Sequence, residues 1–302
     1  MKYLITGGSG FVGQHLSKFL LNQGDEVIAI GLRPSQEVIR HEKFQYISAD
    51  TSKPGIWQDA VNEAEAVINL AGKNIFKRWT ESYKQLIYDS RILTTRNLVE
   101  ALPENENRIL LSASAVGYYG NRADEILTED SKDGTDFLAK VARDWEAQAL
   151  SAKKKRGRVV TARFGIVLGK GGGAIAKMVP AFKSFAGGPI GNVMQWFSWI
   201  HIEDLLCGLK FVAENNAIEG PVNFTSPNPV RNKEFAKTLG KVLRRPAMLS
   251  VPGFMIRLLM GEFGETLLSG QRAMPEKLLK HGFQFRFASL EDALGDLLAP
   301  EA

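Results

Sequence analysis

Cysteine and histidine are scarce in this 302-residue chain, which has one Cys (Cys207) and four His (His15, His41, His201, His281). A single thiol excludes an internal disulfide and a cysteine-held metal, and the histidines fall at no metal-ligand spacing. No metal site is expected. Cys207 lies in Leu205-Leu206-Cys207-Gly208-Leu209, an apolar helical stretch where a buried, inert thiol is the expectation. No apolar run reaches the roughly 18 residues that span a bilayer, and no charged-apolar-small leader opens the chain. The expectation is a cytoplasmic protein without membrane contact. The net charge is +5, yet the basic residues are scattered and not interleaved with aromatics, which argues against a nucleic-acid partner. The one dense run, Lys153-Lys154-Lys155-Arg156, reads as a solvated helix end.

What is present is a hydrophobic fraction of 44%, enough for a real core, and a telling N-terminus. A short apolar strand runs into Thr6-Gly7-Gly8-Ser9-Gly10-Phe11-Val12-Gly13, behind which Val12, Leu16, Phe19 and Leu20 recur at helical spacing. Strand, glycine turn and amphipathic helix together open a dinucleotide-binding unit. Glycine lets the backbone approach a pyrophosphate, and the helix N-terminus offers free N–H groups to it. A second strand, Glu26–Ile30, leads into Gly31-Leu32-Arg33-Pro34-Ser35. NAD sites place an acid there for the ribose hydroxyls. This chain has none, and Arg33 suits a 2′-phosphate, the bland alternative being a solvated loop arginine. NADP is therefore favoured over NAD.

Strand-like runs at Phe44–Ser48, Ala66–Leu70, Arg108–Ser112 and Val159–Phe164 alternate with helical ones at Glu81–Leu102 and Phe137–Leu150. That alternation predicts an α/β fold with a doubly wound parallel, Rossmann-like sheet. The dinucleotide-binding domain is placed at 1–168, with a returning strand near 221–225. A smaller, mostly helical substrate-side lobe follows at 169–302, including a helical C-terminal part from about 250. Gly169–Gly173 and Gly187–Gly191 read as flexible punctuation, and Gln195–Ile202 as a strand.

Ligands of such sheets sit at the carboxyl ends of the strands. Asp50 there suits an adenine amino group, and Asn69-Leu70-Ala71-Gly72 lets backbone approach a ribose or nicotinamide. The fifth strand ends in Ser112-Ala113-Ser114-Ala115-Val116-Gly117-Tyr118-Tyr119-Gly120. Trp196, Trp199 and His201 alternate further on; core packing suits the tryptophans better than substrate stacking, and His201 before Glu203-Asp204 suits a helix entry or else a catalytic role.

These residues resemble an extended short-chain dehydrogenase/reductase. Arg78-Trp79-Thr80, the Asp89-Ser90-Arg91-Ile92-x-Thr94-Thr95 stretch, Gln195–Ile202 and a helical tail from about Pro252 are similar to an atypical NAD(P)-binding "epimerase family" subgroup. The resemblance spans essentially the whole chain. It implies cofactor contacts at Arg91 and at Arg163, where an anionic ligand is expected. It also implies that Ser114 bonds a substrate oxygen, the alternative being a bond to local backbone.

The family's proton-transfer pair, a Tyr with Lys four residues later, is missing. The residues four after the six tyrosines are Gly7, Asp50, Ile87, Ile92, Arg122 and Ala123. Aligning the helix on Glu146 puts Leu138 and Ala142 at those positions, with Lys140 two residues out of frame. Tyr118 or Tyr119 is a substitute acid or else an aromatic wall, and Glu129 and Asp130 are substrate-orienting acids or else solvated loop residues. The resulting expectation is an NADP-binding oxidoreductase or nucleotide-sugar-epimerase-like protein acting on a small polar or anionic substrate. The rival is a non-catalytic NADP sensor. The resemblance also offers a homodimer through the helices at 81–102 and 137–150, although a one-sided apolar helix packs equally well on its own sheet.

Overall fold

Alternation within the first strands explains the layers. In β1 (Lys2–Thr6) Tyr3 and Ile5 point to one face and Leu4 to the other, and in β2 (Glu26–Gly31) Val27 and Ala29 oppose Ile28 and Ile30. Both faces are apolar, so both must be covered, which is the condition for a buried parallel sheet. The computed structural model describes residues 1–35, 39–104, 108–155 and 157–299; Arg156 of the basic run lies outside them.

The remaining strands are β3 (Phe44–Ser48), β4 (Ala66–Asn69), β5 (Ile109–Ala115), β6 (Arg158–Phe164) and β7 (Gly220–Phe224). They form one seven-stranded sheet in the order β7-β6-β5-β4-β1-β2-β3, parallel at every pairing. The strand β7 thus returns to the sheet edge from a much later part of the chain. Order reverses between β1 and β4, and the crevice of a doubly wound fold opens there.

Helices α1 (Phe11–Asn22) and α5 (Ile202–Glu214) cover one face, packing Leu16, Leu20, Leu205 and Leu209 on it. Helices α2 (Glu81–Ala101) and α3 (Phe137–Leu150) cover the other, with Leu98 and Ala149 inward beside Trp57. Each such leucine, fully buried, is worth roughly 1.5–3 kcal/mol. The later elements are α4 (Gly173–Lys183), α6 (Asn232–Leu243), α7 (Gly253–Met260), α8 (Glu262–Leu268), α9 (Glu276–Lys280) and α10 (Leu290–Leu298).

Three local expectations are corrected. Gln195–Ile202 is two short strands, Trp196–Phe197 and Trp199–His201, which pair with different partners; between them Ser198 turns aside to donate its hydroxyl to the Gln271 carbonyl at 2.6 Å. Gly169 and Gly172 are not mere punctuation, because they lie directly against the Phe11 ring and so tie the later lobe to the glycine turn. Cys207 is exposed, because it falls on the outer face of α5. Partial desolvation and then Asp204 and Glu203 raise its thiol pKa. Among the described residues, no helix is long and apolar enough to cross a membrane.

The Arg78-Trp79-Thr80 segment has a structural purpose. Trp79 is buried edge-on to Phe137 of α3 (5.3 Å) and against Phe263 of α8 (5.5 Å), so it fastens the tail to the main sheet's helices. Thr80 caps α2, its hydroxyl accepting from the Tyr83 N–H.

Candidate dinucleotide site

The turn between β1 and α1 is built for close approach. Gly7 has φ +70°, and a Cβ there would stand 2.8 Å from the Leu70 carbonyl, so only glycine lets the β4 loop cross the turn. The Gly10 N–H closes the turn on the Gly7 carbonyl at 2.9 Å. No side chain caps α1, which leaves its first N–H groups and positive dipole end to an anion. Leu70, Ala71 and Gly72 pass beside this turn. Gly72 in turn rests on the Arg91 guanidinium, whose Nη1 donates to the Lys73 and Ile87 carbonyls (3.1 and 3.0 Å). Burial draws the Arg91 pKa down to about 10, which leaves it a cation at neutral pH. Arg91 therefore buttresses the loop from below.

At the end of β2, a Cβ on Gly31 would meet the Ser9 hydroxyl at 2.4 Å and the Tyr46 hydroxyl at 2.9 Å. The glycine keeps open a cradle floored by two hydroxyls. Arg33 is exposed at its rim, its carbonyl held by the Tyr46 hydroxyl at 2.9 Å. Asp50 is exposed after β3, its Oδ1 accepting from the Ser52 amide and hydroxyl.

Two predicted cofactor contacts lie too deep. Thr6 donates to Asn69 Oδ1 at 2.6 Å, and Asn69 Nδ2 donates to the Thr95 and Ser112 hydroxyls at 2.9 and 3.1 Å. Both side chains are completely buried, and parallel register sets Thr6, Asn69 and Ser112 in one row across three strands. Their side chains tie the sheet floor beneath the site instead of reaching a ligand.

A second row, one step further out, joins Ser114 on β5, Arg163 on β6 and Asn223 on β7. Arg163 is 3% exposed and uses four of its five N–H donors. Nε and Nη2 bond the two carboxylate oxygens of Glu146 (2.8 and 2.9 Å), while Nη1 bonds the Tyr119 hydroxyl and the Glu129 carbonyl. Burial works against its charge, but the Glu146 pair overcomes it and raises its pKa. The expectation of an anion ligand at Arg163 is thus corrected: its anion is internal.

Tyr119 fails as a substitute acid for a similar reason. It is completely buried, donates to Asn223 Oδ1 at 2.7 Å, and burial pushes its pKa up to about 12. Tyr118 lies flat over the Arg163 guanidinium at 3.6 Å, and desolvation raises its pKa too. These are the aromatic wall. Glu129 is also buried, its carboxylate accepting from the Asn223 and Lys277 amides; it pins the loop to the tail and is not solvated. Lys140 pairs with Asp144 at 2.6 Å on the surface. His201 caps α5, accepting from the Glu203 N–H at 3.2 Å, and burial lowers its pKa to about 4. It is the helix entry.

Ser114 bonds a side chain and not the local backbone. Its hydroxyl donates to Glu146 Oε1 at 2.6 Å, leaving the oxygen's lone pairs for a hydroxyl donor. Glu146 is the residue that reading the sequence missed. It lies on the inward face of α3 with Ala142, Trp145 and Ala149, and a carboxylate on an apolar face requires a buried partner.

Trp199 is core, but Trp196 is not. Trp196 lies between two guanidinium groups, Arg231 at 3.9 Å and Arg272 at 4.5 Å from its ring centre. Asp124 accepts from both Trp196 Nε1 and Arg231. Arg272 Nε is buried without a hydrogen-bond partner among the described residues. The cluster adjoins the Tyr119–Gly120 loop, since Gln271 Nε2 donates to the Gly120 carbonyl at 3.0 Å.

With this geometry in hand, the relatives are informative. A family model described as the NAD dependent epimerase/dehydratase family matches residues 3–224. The chain belongs to that family. A second model, a domain of unknown function termed DUF1731, matches residues 251–297. The epimerase family protein YfhF of Bacillus subtilis is 39% identical over 99% of this chain and 98% of its own. An Arabidopsis thaliana epimerase family protein, the SDR39U1 homolog described as chloroplastic, is 39% identical over 97% of this chain and 86% of its own. The crystal structure of human epimerase family protein SDR39U1 (isoform 2) with NADPH superposes with a TM-score of 0.84 at 31% identity, covering 98% of this chain and 99% of that one. These matches define an atypical extended short-chain dehydrogenase/reductase with an NAD(P)-binding fold.

Proposed function

We propose that this chain is an NADP-dependent oxidoreductase in which Ser114 and Glu146 move the proton that the family's Tyr and Lys usually handle. The observation that carries the reading is the 2.6 Å bond from Ser114 to a carboxylate clamped by Arg163. A substrate hydroxyl that donates to Ser114 Oγ has a continuous path to Glu146 Oε1 as its proton leaves. Arg163 keeps that carboxylate oriented. A bound nicotinamide supplies a hydride acceptor or donor at its ring.

The Ser9–Gly31 cradle and Arg33 support a 2′-phosphate at the adenosine end, where none of residues 31–35 is acidic. The NADPH in the human relative's crystal structure is consistent with that choice. The substrate is small and anionic: Arg272, stacked on Trp196 with an unpartnered Nε, takes the anion-binding part that Arg163 cannot. The absent Tyr–Lys pair favours the rival, a non-catalytic NADP sensor.

The test is oxidation of NADPH by purified protein against a panel of phosphorylated and carboxylated aldoses and ketoses. Turnover that disappears in Ser114→Ala, with NADPH affinity retained, supports the enzyme. NADPH binding with no turnover across the panel supports the sensor.

A further inference from the structure

Charge and apolar surface are sorted together on one face of the later lobe. Residues 166–202 contain no Asp or Glu, and neither do residues 235–261. Together these stretches carry eight cations, namely Lys170, Lys177, Lys183, Lys237, Lys241, Arg244, Arg245 and Arg257. The stretches adjoin in space: Ile190 bridges to Val251, Gly191 N–H bonds the Val251 carbonyl at 2.9 Å, and the Arg245 guanidinium lies 4.8 Å from the Phe185 ring centre. Arg257 and Lys241 answer acids from outside, Glu265 and Glu291. Lys177, Lys183, Arg244 and Arg245 are exposed and make no salt bridge among the described residues.

Within this cationic frame α7 buries no residue at all. Phe254 and Leu258, one helical turn apart, are 67% and 73% exposed, and Leu259, Leu249, Met248 and Phe185 join them. Large apolar side chains exposed in this number mark an interaction site.

The charge decides between occupants. A second copy on the same face would set the unpaired Lys177, Lys183, Arg244 and Arg245 against their own counterparts. Nucleic acid calls for free cations beside the stacking rings at the centre of the contact, whereas the one cation of α7, Arg257, is paired with Glu265 among Phe254, Leu258 and Leu259. Apolar side chains ringed by Lys and Arg fit the boundary between anionic headgroups and acyl chains.

We propose that this face docks on an anionic lipid surface, with α7 in the headgroup layer. The sequence expectation of no membrane contact rested on the absence of a spanning run; a surface-lying helix needs no such run. This proposal is independent of the proton path at Ser114.

Flotation of the full chain with phosphatidylcholine vesicles, with and without one-third phosphatidylglycerol, tests it. The expected result is binding to the anionic vesicles only, weakened by salt. Phe254→Ser/Leu258→Ser and, separately, Arg244→Glu/Arg245→Glu each lower it on the order of tenfold. Both pairs are exposed, so melting temperature and NADPH affinity stay at the parent values in each variant. No flotation with anionic vesicles overturns the proposal. So does binding at the parent's level by either variant, a dimer in light scattering that Phe254→Ser/Leu258→Ser dissolves, or tighter binding to a DNA duplex than to the vesicles.

Discussion

Glu146 on α3 grips Arg163 on β6 through both carboxylate oxygens, at 2.8 and 2.9 Å, with the two side chains 6% and 3% exposed. The pair fixes the orientation of the Ser114 hydroxyl, braces the Tyr119 loop, and joins the helix layer to the sheet. Buried ion pairs add little net stability over apolar packing, yet breaking one leaves an uncompensated charge.

Glu146→Gln therefore destabilises the fold by about 3–5 kcal/mol, measured by urea unfolding. A loss well below 1 kcal/mol, within the range of an exposed pair, would mean that water reaches Arg163.

Trp79→Ala opens a cavity against Phe137 and Phe263 and is expected to cost about 3–5 kcal/mol. It also frees the α7–α8 segment, because Phe263 is the tail's buried contact there. Limited trypsin digestion should cut faster after Arg257 in this variant. An unchanged cutting rate would show that α8 is held by other contacts.

Protonation of His201 works against the folded state. Burial lowers its pKa from 6.5 to about 4, with Asp296 only partly offsetting this. Between those values the unfolded chain binds a proton that the folded chain does not, so stability falls as pH drops from about 6.5 toward 4. His201→Asn keeps an acceptor for the Glu203 N–H and removes the titration. It should flatten the stability–pH slope across that window, measured by urea midpoint. An identical slope in the variant would assign the acid sensitivity to other groups.

What was legible in the sequence was local. The glycine turn announces itself within eight residues, and α3 runs from Phe137 to Leu150 as its periodicity predicts, because both signals are carried by neighbours in the chain. Pairings between layers were not. Glu146 and Arg163 are seventeen residues apart; alone, Arg163 reads as a ligand contact and Glu146 as nothing more than a helix position. Only their placement on two buried faces makes them partners. Thr6 and Asn69 illustrate the same limit: a strand end reads as ligand-facing, whereas register decides whether its side chain points to the crevice or into the floor. Trp196 looked like core because tryptophan usually is, and nothing nearby in sequence reveals that Arg231 and Arg272 flank it.

The most direct measurement is calorimetric titration of the chain and of Arg33→Ala with NADPH and NADH. NADPH should bind on the order of tenfold or more tighter than NADH, and the variant should lose that preference while keeping NADH affinity, as expected when a charge-assisted phosphate contact is removed. Equal binding of both cofactors by the parent chain would contradict the 2′-phosphate cradle at Ser9, Gly31 and Arg33. Binding of neither would contradict the nicotinamide site itself.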